Sequence, residues 1–334
     1  MVLLKAVFFN IVDRKDEIMT KKIMLIFASL LIALSLQARA DEELYNKLQD
    51  ISVTVKSGFS EGSGVIITRD VRVGPNKTEK INFVWTAGHV IDNLRSVRTI
   101  IQDGQQVRVV EFKDAQIVKE LVENGRRVGE LKMDAKVLKY SSASDGEDLA
   151  LLMVRKRDFI QQNADFYNPD SPVAIGTELY HVGSLLGQQG SNSMTRGIIS
   201  QVGRVLNLGN GDGVVFDQTT VTAFPGSSGG GVFLSERSKD HRGEYVGMLV
   251  RGAGETFNLI VPVRRMREWA EKGDISWAID TNVEVPTLED ILSLQIEGGS
   301  SNKKDGEEKA LSPDAITFPT LIGGKKEALP KASE

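Results

Sequence analysis

The sequence predicts an all-β protein of the barrel type. From Ile51 onward, short alternating or apolar runs are separated by Gly-rich turns, and long helical patterns are few. One later stretch has helical spacing, with Met266, Trp269 and Ala270 on one side, and it predicts a helix after the last strand. The runs that we interpret as strands lie at 52–55, 64–68, 81–86, 178–183, 194–201, 214–218, 231–234, 245–251 and 257–261.

Length, charge and composition exclude several classes of protein. A chain of 334 residues suggests one large or two ordinary domains and is long enough to bury a sizeable core. The formal net charge of −4 does not indicate a nucleic-acid partner. No cysteine is present, which excludes disulfides, thiolate metal sites and a cysteine nucleophile. The three histidines, His89, His181 and His241, are far apart in sequence, so we expect no metal site and no cofactor.

The start of the chain has the three parts of a secretory signal peptide. Lys21 and Lys22 precede an apolar run from Ile23 to Leu36, and Ala-Arg-Ala at 38–40 completes the pattern. We expect cleavage after Ala40 and a natural start at Met19, with residues 1–18 as an extension. The apolar run is short for a membrane span, so we predict a periplasmic or secreted protein without a stable span after signal removal. An uncleaved N-terminal anchor is the alternative.

A Gly-rich stretch at 224–231 contains the candidate nucleophile. Within Phe-Pro-Gly-Ser-Ser-Gly-Gly-Gly, only Ser228 stands directly before a Gly-Gly pair and two residues after another glycine. A serine nucleophile needs an unobstructed hydroxyl and a turn whose N–H groups converge on the oxyanion, and glycines permit such a turn. Taken alone, a Gly/Ser run is more often a plain turn or linker.

Two upstream segments provide the partners that such a serine needs. Residues 85–90 place His89 at the end of an apolar strand, and residues 148–152 place Asp148 at the start of another. The order His, Asp, Ser is one of those in which catalytic triads occur. Asp145 is the nearest competitor of Asp148, but it lies in a Ser-Asp-Gly turn signal. His181, inside a strand pattern, is expected to be a packing residue.

These segments resemble the triad motifs of trypsin-like serine proteases, with Thr-Ala-Gly-His at 86–89, Asp-Leu-Ala-Leu at 148–151 and Gly-Ser-Ser-Gly-Gly at 226–230. Segments 62–67, 195–200 and 243–248 are similar to the bacterial HtrA/Deg-type branch. The resemblance covers about residues 51–272. It implies two six-stranded antiparallel β-barrels with a C-terminal helix, a protease domain over 45–275 and a linker between the barrels near 156–172.

The resemblance also implies roles for individual residues. Ser228 would attack the substrate carbonyl, His89 would act as the base, and Asp148 would orient the imidazole. The N–H groups of Gly226 and Ser228 would line the oxyanion hole. Thr222, six residues before the serine, would lie at the base of the substrate pocket, with Arg251 and Gly252 in one wall. Because Thr222 is uncharged, we do not expect a preference for Lys or Arg in the substrate residue before the cleaved bond. We expect a small or medium apolar residue there.

Two segments depart from the HtrA pattern. Lys113–Lys132 is highly charged and predicts a solvated hairpin or short helix inserted between strands, with a substrate-docking or regulatory loop as the alternative. After the closing helix, we expect one short helix within Glu284–Ile296, then a disordered polar tail in the remainder of 276–334. HtrA proteins usually carry PDZ domains here, and we expect none in so short a segment.

The sequence therefore predicts a secreted or periplasmic serine endopeptidase that acts on protein or peptide substrates through an acyl-enzyme. A homo-oligomer is left open. The first alternative is a latent or non-catalytic trypsin-like fold that serves as a protein-binding or chaperone module, with its oxyanion loop collapsed. The second alternative is a structural, adhesin-like β protein in which the order of the triad is coincidental.

Overall fold

The computed structural model describes Met24, Phe27 and residues 29–102, 105–123, 126–207, 213–252 and 256–297. Residues 29–50 form helix α1, and the strands and later helices follow it along the chain. The expected start at Met19, the extension 1–18 and the expected disordered tail after residue 297 lie outside the described residues.

The first barrel is closed by six antiparallel strands in the order β1-β2-β3-β8-β7-β6. The chain pairs β3 with β8, so that Thr86 lies opposite Ala150 at one end of the barrel. This pairing brings the segments that follow β3 and precede β8 to the same edge. The six strands are β1 Ser52–Ser57, β2 Ser60–Gly74, β3 Lys77–Thr86, β6 Ala115–Glu123, β7 Arg126–Ser141 and β8 Leu149–Val154.

The second barrel is also closed by six antiparallel strands, in the order β10-β11-β14-β13-β12-β9. Helix α3, Val263–Lys272, follows its last strand. These observations confirm the predicted fold class of two six-stranded barrels with a C-terminal helix. The strands are β9 Glu178–Leu185, β10 Gly190–Asn207, β11 Gly213–Thr219, β12 Gly231–Leu234, β13 Tyr245–Gly252 and β14 Asn258–Pro262. The predicted linker 156–172 lies between the end of β8 and the start of β9.

A separate two-stranded sheet is formed by the part of the chain between β3 and β6 of the first barrel. Strands β4 Arg95–Gln102 and β5 Gln105–Phe112 pair with each other along their whole length. This hairpin was not among the elements predicted from the sequence. In the charged segment 113–132, β6 and β7 form a hairpin as expected, but β6 is a barrel strand that also pairs with β1.

The helix α1 has two halves in different surroundings. In the first half, the large apolar side chains from Leu30 to Leu36 are more than half exposed. In the second half, Leu44 and Leu48 are buried in the core. The two halves meet at Ala40 and Asp41, where Arg242 Nη2 donates to the Ala40 carbonyl and to Asp41 Oδ1, both at 3.0 Å. Within the described part of the chain, no helix has the length and apolar content needed to cross a bilayer.

The packed core continues past residue 275, the end of the domain predicted from the sequence. Trp277 is buried with its ring 4.8 Å from that of Phe83. The short helix predicted within 284–296 is α4, Leu288–Ser293, and its Ile291 is fully buried. The N–H of Tyr140 in β7 donates to the Ile296 carbonyl at 2.9 Å. Residues 276–297 therefore belong to the packed structure.

Candidate active site

His89 stands directly after the end of β3, in the short helix α2, Gly88–Ile91. Its backbone N–H donates to Asp148 Oδ1 at 2.9 Å. Its ring Nδ1 lies 2.8 Å from Asp148 Oδ2 and 3.0 Å from Oδ1. The imidazole is 34% exposed, so one edge of the ring is held by the carboxylate while the rest stays accessible.

Asp148 precedes β8 and is almost fully buried, with 1% of its surface exposed. Its backbone has a φ of 54°, in the left-handed region that aspartate tolerates better than most residues. The competing Asp145 contacts the backbone of Ser142 within its own turn. The structure therefore brings Asp148, and not Asp145, to His89.

The contact between His89 and Asp148 shifts the pKa of both side chains. Burial lowers the pKa of His89, but the charge and hydrogen bond of Asp148 outweigh it, so the net pKa is raised. Burial raises the pKa of Asp148, but the positive charge of His89 and the hydrogen bonds from its ring and backbone leave it lowered. The pair therefore favours a carboxylate beside a protonated imidazole, which makes His89 a stronger base than free imidazole.

Ser228 lies on a loop of the second barrel that packs against the first barrel beside His89. The N–H of Ser63 in β2 donates to the Ser228 carbonyl at 2.7 Å. A Cβ at the next residue, Gly229, would lie 2.1 Å from the Ser63 carbonyl and 3.0 Å from the backbone nitrogen of Ala87. Only glycine permits this approach to the segment that carries His89. Ser228 itself is half-buried.

The turn before Ser228 has the geometry of a type II β-turn. The N–H of Ser227 donates to the Phe224 carbonyl at 2.9 Å, Pro225 occupies the second position and Gly226 has a φ of 93°. The Pro225 carbonyl accepts from Leu186 N–H at 2.7 Å. Because C=O and N–H point in opposite directions across a trans amide, the N–H of Gly226 faces away from Leu186.

This turn leaves two amide donors available next to the serine. Among the described residues, neither the N–H of Gly226 nor that of Ser228 has a protein acceptor. In a type I turn, the amide between Pro225 and Gly226 would be flipped and its carbonyl would take the place of the donor. Two free N–H groups beside a nucleophile suit the developing charge of an oxyanion.

Sequence reasoning missed two residues that support the site. The hydroxyl of Ser63 donates to the Gly226 carbonyl and accepts from Ser184 N–H, both at 2.7 Å. The carboxylate of Asp92 accepts from Tyr140 Oη, and its charge contributes to the raised pKa of His89. The Gly-Ser-Gly motif at 62–64 contributed to the sequence resemblance to the HtrA/Deg-type branch, but no role was predicted for its serine. In the structure, this serine holds the turn at 224–227.

The residues predicted for the substrate pocket lie on neighbouring segments. Asn258 is paired with Gly252 across the β13–β14 ladder, and its Nδ2 donates to the Val221 carbonyl at 2.6 Å, next to Thr222. The Thr222 carbonyl accepts from Thr195 Oγ1 at 3.1 Å. Arg251 is half-buried in β13, and the pKa values of both His89 and Asp148 respond to its charge.

His181 is a core residue, as expected. It is fully buried, and its Nδ1 donates to the Gly231 carbonyl at 3.0 Å. Burial lowers its pKa to about 4, so the ring is neutral near pH 7. Within the described residues, no three His, Cys, Asp or Glu side chains form a group that could hold a metal ion.

Known proteins resemble this chain in sequence and in structure. A Do-like HtrA serine protease of Lactobacillus helveticus is 26% identical over 201 residues, which are 58% of this chain and 39% of that protein. The chain thus spans about two fifths of that relative's length.

Two solved structures cover similar parts of the chain. The serine endoprotease of Yersinia pestis has 19% identity and a TM-score of 0.46, covering 69% of this chain and 65% of that one. The MamO protease domain of Magnetospirillum magneticum, in its apo form, has 16% identity and a TM-score of 0.45, covering 67% and 98%.

A family model of the trypsin-like peptidase domain matches residues 62–248, which is more than half of the chain. The matched range contains His89, Asp148 and Ser228. The chain belongs to the family of the trypsin-like peptidase domain.

Proposed function

We propose that the chain is a serine endopeptidase that cleaves protein or peptide substrates through an acyl-enzyme. Ser228 attacks the carbonyl carbon of the scissile bond, and His89 accepts the hydroxyl proton. His89 then donates this proton to the leaving amine, and a water molecule, activated by the same imidazole, hydrolyses the ester. Asp148 fixes the tautomer of the ring and stabilises its protonated form.

The hydrogen bond between His89 and the buried carboxylate of Asp148 is the observation that carries this proposal. A carboxylate held 2.8 Å from one ring nitrogen directs the other nitrogen outward as the basic atom. Gly229, next to Ser228, approaches the Ser63 carbonyl and the Ala87 nitrogen, so the loop of Ser228 lies close to the segment that carries His89. The type II turn adds support, because its free N–H groups can receive the negative charge of the tetrahedral intermediate.

The same turn argues against the latent or non-catalytic alternative. A collapsed oxyanion loop would place a carbonyl where the N–H of Gly226 now stands. Here the Pro225 carbonyl is bound to Leu186 N–H and the Gly226 carbonyl to the hydroxyl of Ser63. Both amide planes next to Gly226 are thus fixed in the orientation that frees its N–H.

We further propose that the protein is exported through its N-terminal segment and cleaved after Ala40. The exposed apolar half of α1 ends where the docked half begins, at Asp41. N-terminal sequencing of the protein recovered from the periplasm or medium of an expressing bacterium should therefore give Asp41. Ala40→Leu should block this cleavage, whereas recovery of an intact N-terminus from the unaltered chain would contradict it.

Cleavage of casein tests the proposed activity. The chain should release peptides from casein, and Ser228→Ala should abolish the release while Ser171→Ala, at an exposed serine in the linker, leaves it unchanged. Asp148→Asn should lower kcat by about 10⁴-fold, as in other triads, because the amide favours the wrong tautomer of His89. Equal casein cleavage by the parent chain and Ser228→Ala would exclude Ser228 as the nucleophile.

A further inference from the structure

Among the described residues, no carboxylate forms an ion pair with Arg251. Its side chain is half-buried, and its Nε atom is buried without a hydrogen-bond partner among the described residues. Arg264, by contrast, forms a two-pronged ion pair with Asp217. Burying part of a guanidinium without a hydrogen-bond partner is unfavourable. We therefore expect a bound molecule to supply the acceptor that Arg251 lacks.

The position of Arg251 places its charge beside the candidate active site. Its charge lowers the pKa of Asp148 and opposes the rise in the pKa of His89, which requires proximity to both. Both carboxylate oxygens of Asp148 bind His89, and among the described residues no ion pair joins Asp148 to Arg251.

The backbone next to Arg251 offers an open strand edge. Strand β13 pairs with β12 only up to Met248, and Leu249 then exchanges hydrogen bonds with Gly229 and Gly230. Beyond Leu249, residues 250–252 have no described strand on that side. An extended peptide can add to such an edge through main-chain hydrogen bonds.

The direction of β13 sets which part of a peptide meets Arg251. The strand runs from Leu249, beside the loop of Ser228, toward Gly252, away from it. A peptide lying antiparallel on this edge has its C-terminal end at Ser228. Its preceding residues therefore pass Arg251, which is two positions or about 7 Å beyond Leu249.

We propose that Arg251 binds an acidic side chain of the substrate, located two to four residues before the cleaved bond. The guanidinium presents several N–H donors, and a carboxylate is the acceptor that matches them in charge and geometry. The substrate class is thus a peptide with Glu or Asp on the N-terminal side of the cut. This inference rests on the peptide-binding site of the proposed function.

Binding to the Ser228→Ala protein tests this selectivity without catalysis. Fluorescent hexapeptides that carry Glu or Gln at one position before the expected cut would be titrated into the full-length variant. We expect one position from the second to the fourth to bind the Glu peptide about tenfold more tightly than the Gln peptide. Adding Arg251→Gln should reduce this ratio below about twofold, whereas Arg251→Lys should retain part of it.

The matched control is Arg72→Gln, which removes the same charge from an exposed position on β2 and should leave the ratio unchanged. Three results would overturn the proposal. The first is equal affinity for the Glu and Gln peptides at every position, and the second is a preference for Glu that persists in Arg251→Gln. The third is no binding of any Glu peptide. Casein cleavage by the parent chain without any acidic preference would overturn this inference alone, and the proposed protease activity would stand.

Discussion

At the scale of single residues, the His89–Asp148 pair determines how the site responds to pH. Burial lowers the pKa of His89, but Asp148 and Asp92 raise it above its ordinary value. A general base must be unprotonated, so kcat/KM should fall as the pH drops through this raised pKa. The midpoint of the acid limb should lie above that of a free imidazole, as measured by the pH profile of peptide hydrolysis.

Two substitutions should move that midpoint in opposite directions. Arg251→Gln removes a charge that lowers the pKa of His89, so the acid limb should move to higher pH. Asp92→Asn removes a charge that raises it, so the limb should move to lower pH. Arg72→Gln is the control and should leave the profile in place. Movement of both variants in the same direction would contradict the electrostatic assignment.

The prediction of His89, Asp148 and Ser228 rests on residue type, order and neighbouring glycines, which are all local features of the sequence. Their roles remain part of the proposed function. The supporting residues could not be predicted in this way. The contact between Ser63 and the Gly226 carbonyl joins residues that are 163 positions apart. The lack of a partner for Arg251 Nε among the described residues depends on every residue that folds around it.

At the scale of elements, the turn at 224–227 is held by β2 as well as by its own sequence. Pro225 and Gly226 favour a type II turn, and Ser63 and Leu186 bind its two carbonyls. The turn is therefore fixed without a bound substrate, and this would reduce the reorganisation that the proposed oxyanion stabilisation requires.

Ser63→Ala should lower kcat by about tenfold or more while changing KM little. The substitution leaves the Gly226 carbonyl and the Ser184 N–H without their hydroxyl partner, so the amide of Gly226 is less firmly oriented in the transition state. Steady-state kinetics with a peptide substrate measures both constants.

Ser52→Ala is the matched control, because it removes a buried hydroxyl that donates to a carbonyl far from the site, that of Leu48. If both variants lower the melting temperature equally and neither changes kcat, Ser63 has only a structural role.

The hairpin β4–β5 shows that one element was missed although its signal was present. Asp103 and Gly104 stand between the two strands in the sequence, and an Asp-Gly pair between apolar runs is a strong hairpin signal. The interspersed charges of Arg95, Arg98 and Arg108 obscured the alternation. The strands of the barrels were easier to predict because both faces of most of them are buried.

At the scale of the whole molecule, the second half of α1 packs against both barrels. Lys119 of the first barrel donates to the Gln49 carbonyl, and Tyr45 packs edge-on against Tyr180 of the second at 5.5 Å. Leu48 is fully buried at this junction. The segment that follows the expected cleavage site is thus part of the folded domain.

Leu48→Ala should reduce the free energy of unfolding by about 2–5 kcal/mol, because it removes buried methyl groups and leaves a cavity. Leu36→Ala, at a 63% exposed position in the same helix, should change it little. Urea denaturation of the full chain provides the comparison. Equal effects of the two variants would show that the second half of α1 is not docked in solution.

An activated hydroxyl at Ser228 is the central requirement of the proposed function, and mapping of a fluorophosphonate adduct measures it. We expect one adduct per chain, located on Ser228, absent in Ser228→Ala and formed much more slowly in His89→Ala. An adduct on another serine, or no adduct on the parent chain anywhere between about pH 6 and 9, would contradict it.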